Sequence, residues 1–252
     1  MPPSTACAFC KIAAAYLPIP TSTFLPNNQH SSSPSSSSST PSIAIPGNTG
    51  PGSGSDSHAF LILSTKHVLA FLDIMPLTQG HVLVVPREHS EKLGEVGVRV
   101  SRELGTWLPI ISRAIMRTVF GKSESDSEDE DAHIEIRDRD RDVEKITTDD
   151  SWNWNVVQNN GPGAAQVVPH VHFHIVPRPP LGAASTKAKM SFVMFGRGQR
   201  EDLDDEEAEK FAGVLRACVA KEVARVREVE GIDVEEDFEV GGGSITGGKG
   251  RL

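Results

Sequence analysis

The sequence predicts an α+β domain, and three observations carry the prediction. Short apolar runs between residues 59 and 86 lie close together, which favours neighbouring antiparallel strands. Two segments repeat apolar residues at helical spacing, from Leu93 to Val119 and from Phe211 to Val226. Between them, Pro169-His170-Val171-His172-Phe173-His174-Ile175-Val176-Pro177-Arg178 alternates histidines with β-branched and aromatic residues, and a proline bounds each end of the alternation.

Composition limits how much of the 252-residue chain can pack. Residues 31–57 hold twelve serines, interspersed Pro and Gly, and almost no large apolar side chain. Such a stretch buries too little surface to offset its ordering entropy. Residues 123–150 carry thirteen acidic and four basic residues, a net of −9, which equals the formal charge of the whole chain. The acidity is therefore local. It argues against a nucleic-acid surface there, and the chain lacks the basic patch such binding needs. Without both segments and the Gly-rich tail from Gly241, about 185 residues remain, enough for one domain. The expected organisation is a domain in three parts (6–30, 58–122 and 151–200), disordered inserts at 31–57 and 123–150, a C-terminal helix at 201–232 and a flexible tail at 233–252.

Three cysteines, Cys7, Cys10 and Cys218, make a poor disulfide framework. No signal-peptide pattern stands at Met1-Pro2-Pro3-Ser4, and no run approaches a membrane span. The expected setting is reducing, cytoplasmic or nuclear. There Cys7-x-x-Cys10 points to metal or redox chemistry.

The elements follow in order. Ile12 to Tyr16 starts a short helix that Pro18 and Pro20 stop. Residues 59–63 form a strand, Ser64 to Lys66 a turn, 68–73 a second strand and 75–80 a loop. Residues 81–86 form a third strand, apolar enough for burial on both faces. Ser90 followed by Glu91 is a helix start. The stripe that follows, with Trp107 in it, reads as core, and Pro109 predicts a kink or two helices. Trp152 to Gln158 is a fourth strand, and Asn159 to Gly163 a turn. Residues 179–200 are loop-like, with one short strand read at Ser191 to Phe195, and 204–229 are a helix whose Cys218 serves as a small hydrophobe.

On a strand, successive side chains point to opposite faces. His170, His172 and His174 then share one face, and Val171, Phe173 and Ile175 the other. Three imidazoles in a row can hold a metal or bind and attack phosphate. Strict alternation on an apolar strand argues against incidental surface histidines.

The run His170-Val171-His172-Phe173-His174-Ile175-Val176 has the pattern His-φ-His-φ-His-φ-φ, with φ apolar. Around it stand Cys7-Ala8-Phe9-Cys10-Lys11-Ile12, Asp73-Ile74, Gly80-His81, Pro86-Arg87-Glu88-His89, Gln158-Asn159-Asn160-Gly161 and Gln166. In order and spacing the chain resembles the histidine-triad (HIT) superfamily of nucleotide hydrolases and transferases. The likeness is to its Hint branch, the adenosine 5′-monophosphoramidase-like proteins of fungal and bacterial type. It covers about residues 6–20, 58–120 and 152–180, with the low-complexity segments as insertions.

The resemblance implies a HIT-like α+β fold, a five-stranded antiparallel sheet with a long helix and a C-terminal helix. It implies hydrolysis of adenosine 5′-monophosphoramidate-type P–N bonds to AMP through a covalent nucleotidyl-histidine. His172 would be the nucleophile, with His174 and His81 as flanking donors and Gln166 and the amides after it on phosphate oxygens. Asp73 would take the ribose hydroxyls, Ile74 would pack on the base, and Asn159 would complete the ribose or phosphate contacts. No catalytic metal is implied, but a structural zinc is, held by Cys7, Cys10, His89 and His170. On a strictly alternating strand His170 projects beside His172, so that zinc would lie next to the substrate site, off one strand end. The implied partners are a purine nucleotide (AMP conjugates) and a second copy of the chain, with no nucleic acid and no membrane.

Two departures stand out. Hint enzymes often have Ser or Thr after the Gln, where this chain has Val167, and animal members have a C-terminal Trp, while no Trp follows Trp154 here. A dinucleoside polyphosphate hydrolase of the Fhit branch, which lacks the Cys-x-x-Cys, is one alternative. A nucleotide-binding scaffold without turnover is the other. The uridylyltransferase branch usually replaces the third His, present here as His174. The aprataxin branch adds a zinc finger, whereas no Cys or His follows Gly231.

Overall fold

Five strands form one antiparallel sheet in the order β1-β2-β3-β5-β4. They are β1 Leu61–Ser64, β2 Val68–Leu72, β3 Val82–Pro86, β4 Asn153–Gln158 and β5 Phe173–Arg178. Among the described residues three α-helices accompany them, α1 Ala8–Ala15, α2 Val98–Phe120 and α3 Asp205–Glu230. The computed structural model describes residues 7–25, 58–121, 152–178 and 203–235. The inserts expected at 31–57 and 123–150, the strand at 191–195 and most of the tail lie outside the described residues. No described helix is long and apolar enough to cross a membrane.

Every residue of β1, β2 and β3 is buried, because the sheet is covered on both faces. The period of two sorts their side chains. Val68, Ala70, Leu72, Val82 and Val84 join Leu104, Trp107, Ile111, Ile115 and Leu215 under α2 and α3. Leu69, Phe71, Leu83 and Val85 pack instead with Phe9, Cys10 and Ile12 of α1. The register Val82↔Ile175 and Leu83↔His174 extends this division to β5. Ile175 faces the long helices, and His174 shares the α1 face with Leu83. His81, one residue before Val82, falls on that same face.

Three local expectations are corrected. The histidine run is not one strand, because β5 starts only at Phe173. The amide of Val171 donates to the Ser90 carbonyl (2.7 Å) and that of His170 to Val168 (2.8 Å), so this backbone follows a loop and not the ladder. The long helix starts at Val98 with Gly97 as its cap, not at Ser90. Ser90 is drawn into the contact with Val171, and a 3-10 turn, Leu93–Glu95, intervenes. Pro109 does not divide the helix. Pro109 and Gly105 are exposed, so the Gly105 carbonyl that loses its partner faces solvent.

The remaining ties are polar. Buried Glu222 lies 3.1 Å from both Arg113 and Arg117, joining α3 to α2. Asp204 caps α3 by accepting from the Glu206 and Glu207 amides, and Gly231 ends it at φ 68°. Arg87, at the end of β3, donates to the carbonyls of Ala13, Tyr16 and Thr65 and to Ser64 Oγ. Burial pushes the pKa of its guanidinium down, yet those acceptors hold the charge in place. The Tyr16 hydroxyl donates to the Ala59 carbonyl (2.9 Å) and accepts from the Ala59 amide (3.1 Å).

Gly80 turns the chain into β3 at φ 78°, and a Cβ there would come within 2.8 Å of Val119 and 3.3 Å of Ile115 and Pro177. Both the dihedral and the space exclude a side chain. Gly80→Ala should lower unfolding free energy by about 1–3 kcal/mol. A denaturant titration checks this, and an unchanged midpoint would refute the account.

Candidate active site and metal centre

The imidazoles on the α1 face are held in a fixed chain of hydrogen bonds, and the partners assign each tautomer. The Leu77 amide donates to His81 Nδ1 (3.1 Å), which therefore carries no proton. The His81 proton sits on Nε2 and is donated to His174 Nδ1 (3.0 Å). His174 in turn carries its proton on Nε2. Asp73 Oδ2 lies 3.4 Å from His81 Nδ1, an electrostatic neighbour beyond good hydrogen-bond length, while its Oδ1 accepts from the Met75 amide (2.8 Å).

His172 stands on the loop just before β5, with its ring 4.9 Å from that of His174 and nearly perpendicular at 74°. Its Nδ1–H donates to the His170 carbonyl (2.7 Å), which leaves the lone pair on Nε2. Buried Phe9 packs edgewise against both His172 (5.4 Å) and His170 (5.7 Å).

A second cluster adjoins the first. Cys7, Cys10, His89 and His170 are all buried and bring their ligand atoms within 4.8 Å of one another. His170 Nδ1 lies 3.5 Å from Cys7 Sγ and 3.7 Å from Cys10 Sγ, and His89 Nδ1 lies 3.3 Å from Cys10 Sγ. A tetrahedral ion with zinc-like bond lengths would have ligand-to-ligand edges of roughly 3.5 Å. His170 gives its other ring proton to the Pro86 carbonyl (2.8 Å), the outer contact that fixes a metal-binding tautomer. These four residues therefore fit a metal ion. The bend before Phe173 frees His170 from strand alternation, and its ring turns to the cysteines while its carbonyl turns to His172. Asp73, His81 and His174 also cluster, but the Leu77 and His81 hydrogen bonds already occupy both of their facing nitrogens.

The other predicted residues are placed less centrally. Gln166 is buried, and its Nε2 donates to the Glu91 (2.8 Å) and His170 (3.2 Å) carbonyls while its Oε1 accepts from the Gly161 amide. Both amide hydrogens are spent inside the protein, which makes this side chain a lock on the 161–170 loop. Ile74 is 60% exposed. Asn159 follows the last β4–β5 pair, Gln158↔Phe173, and its carbonyl accepts from Gln158 Nε2 (2.9 Å). Asn160 is tied to the Leu93 amide (2.8 Å). Phe9, Leu77 and Arg87 were not singled out from sequence. Phe9 and Arg87 had a signal only as members of the Cys7–Ile12 and Pro86–His89 runs, and Leu77 had none.

Fold and site together define a class: an α+β sheet protein whose uncrowded face carries tautomer-fixed imidazoles beside a buried Cys2His2 cluster. The HIT domain model matches residues 55–181, and the chain belongs to the HIT domain family. A HIT-like protein of Methanocaldococcus jannaschii is 32% identical over 58% of this chain and 84% of its own length. The adenosine 5′-monophosphoramidase of Schizosaccharomyces pombe is 34% identical over 47% of this chain and 63% of its own. The adenylylsulfatase of Arabidopsis thaliana is 32% identical over 44% and 41%. The chain thus spans less than two thirds of these two enzymes. Among solved structures, a Zn-bound histidine triad family protein of Mycobacterium smegmatis is 25% identical, covering 66% of this chain and 87% of its own, with a TM-score of 0.42.

Burial pushes the His170 pKa down to about 4, against a weaker opposing pull from its bond to Pro86. A histidine that stays neutral when folded, but protonates when unfolded, favours unfolding as pH falls between its two pKa values. Metal-free protein should therefore keep this contribution above pH 6.5 and lose roughly 3 kcal/mol as pH falls to 4. Urea midpoints across that range, compared with His170→Asn, measure it. Parallel pH profiles would refute the assignment.

Proposed function

We propose that the chain hydrolyses AMP conjugates of the adenosine 5′-monophosphoramidate type through a nucleotidyl intermediate on His172. The observation that carries this reading is the His172 tautomer. With Nδ1–H bound to the His170 carbonyl, the ring turns Nε2 outward as its nucleophilic nitrogen. Its lone pair forms the bond to the α-phosphorus, and the P–N bond to the leaving group breaks. The leaving nitrogen takes the electron pair and a proton and departs as an amine. Water then attacks phosphorus, the histidine–phosphorus bond breaks, AMP leaves, and the water proton passes to solvent.

Negative charge on the phosphoryl oxygens meets the Nε2–H of His174, which His81 and the Leu77 amide hold in that tautomer. Asp73 and Asn159 would bind the ribose and Ile74 the base. Gln166 would act by orientation, sharing the His170 carbonyl with His172. Val167 is 90% exposed and has no proton to give, so the leaving amine takes its proton from solvent. Cys7, Cys10, His89 and His170 would hold a zinc ion that cross-links α1 to the loops at 89 and 170 and takes no part in the chemistry.

Intact-mass measurement during turnover should show one adenylyl group added to the protein, and His172→Ala should show neither adduct nor turnover. Binding of AMP with no adduct would instead favour the scaffold reading. Faster turnover of a dinucleoside polyphosphate than of the phosphoramidate would overturn the assigned substrate class.

The partner we propose is a second copy of the chain. Among the described residues β4 is the outer strand beside β5, and its Val156 and Val157 are 46% and 39% exposed. Outer strands with exposed apolar side chains invite pairing with another chain. Sedimentation should show a dimer, and Val156→Lys should shift it toward monomer. A monomer at micromolar concentration would refute the proposal.

A further inference from the structure

We propose that metal loading at Cys7, Cys10, His89 and His170 sets the tautomer of His172, with His170 as the positioning residue between them. The inference rests on the reading of His172 as the attacking group, but it is tested without substrate.

His170 faces both sites at once. Its Nδ1 belongs to the ligand cluster, its Nε2–H is bound to Pro86, and its carbonyl accepts the His172 Nδ1–H at 2.7 Å. Neutral histidine in water favours the proton on Nε2, the tautomer that cannot attack. The reactive tautomer therefore depends on a well-aimed acceptor at Nδ1. That acceptor belongs to a residue outside the β ladder, on a loop segment whose own backbone bonds are to Val168 and Ser90. A ligand bond at Nδ1 would hold the His170 ring at two points and fix the direction of its carbonyl. Without the ion the ring keeps the Pro86 bond, weak thiol contacts and the packing of Phe9 and His89, and its carbonyl keeps the Gln166 amide, but no bond fixes Nδ1.

A second contact runs in parallel. Phe9 lies between the two cysteines and packs on the His170 and His172 rings at interplanar angles of 75°. Moving the Cys7–Cys10 turn moves the ring that buttresses His172. Both routes start at ligands and end on the same imidazole.

The test compares zinc-loaded and chelator-stripped full chain at one fixed pH, kept reduced, by long-range proton–nitrogen spectra of the histidines. His172 should show Nδ1–H when loaded and shift toward Nε2–H when stripped, and return on addition of zinc. Adenylyl-adduct formation should fall roughly tenfold on stripping. Circular dichroism on the same samples reports the fold. An unchanged His172 pattern in stripped, folded protein overturns the proposal. Unfolding on stripping also overturns it, because the metal would then act on the whole fold. His89→Ala gives a graded version: as it is titrated with cadmium, which is diamagnetic, the His172 shift should follow the thiolate–metal absorption, and two separated curves would refute the coupling. An intact tautomer response with no adduct in any sample would sink the proposed hydrolysis while leaving this coupling standing.

Discussion

The structure depends on one residue's division of labour. His170 turns its ring toward two thiols and a second imidazole, and its carbonyl toward the ring two positions along. This is only open to it because the backbone from 168 to 172 leaves the sheet. Had the ladder extended to His170, its carbonyl would have served a neighbouring strand. The 2.7 Å bond between Val171 and Ser90 is therefore a condition for the site as well as a loop contact.

The sheet explains why the site lies where it does. The two long helices, α2 and α3, occupy one face, with a core running from Phe60 to Val234. Among the described residues the other face is covered by the short α1 and the segment around Tyr16 and Ile19. Beyond the area α1 shields, the sheet carries polar side chains, and His81 and His174 stand there because the pleat puts them there. Glu222 between two arginines belongs to the crowded face and is costly to bury. It is retained as a fixed link between α2 and α3, away from the imidazoles.

Much of this was legible in the sequence because it is periodic. The continuous apolar character of residues 82–85 predicted burial on both faces, and β3 shows it. Strands at 68–72 and 153–158 and the helix at 205–230 fell within a residue or two of expectation. Local pattern did not show the bend at His170, the delayed start of α2 or the integrity of the helix through Pro109. Each is decided by a partner distant in sequence or by exposure, and neither enters a periodicity. The predicted imidazoles, cysteines and Asp73 do converge. The commitment of Gln166 to Glu91 and His170 could not be read, since an amide's partners are set by tertiary packing. The Leu77 amide on His81 was equally invisible, because a main-chain donor leaves no mark on composition.

The Arg87 guanidinium and the Tyr16 hydroxyl join the first helical segment to the sheet without help from the chain that links them. Ile19 adds a backbone bridge to Ser64. The closure entropy of a connecting loop grows only with the logarithm of its length, about 0.6 kcal/mol per doubling. Long Ser-rich tracts can therefore be lengthened, shortened or replaced between residues 26 and 57 at small thermodynamic cost. Evolution has a site there for adding sequence that the sheet and its imidazoles barely register. The same anchors make the peptide before residue 26 a candidate for supply in trans, as a separate fragment docking onto the rest.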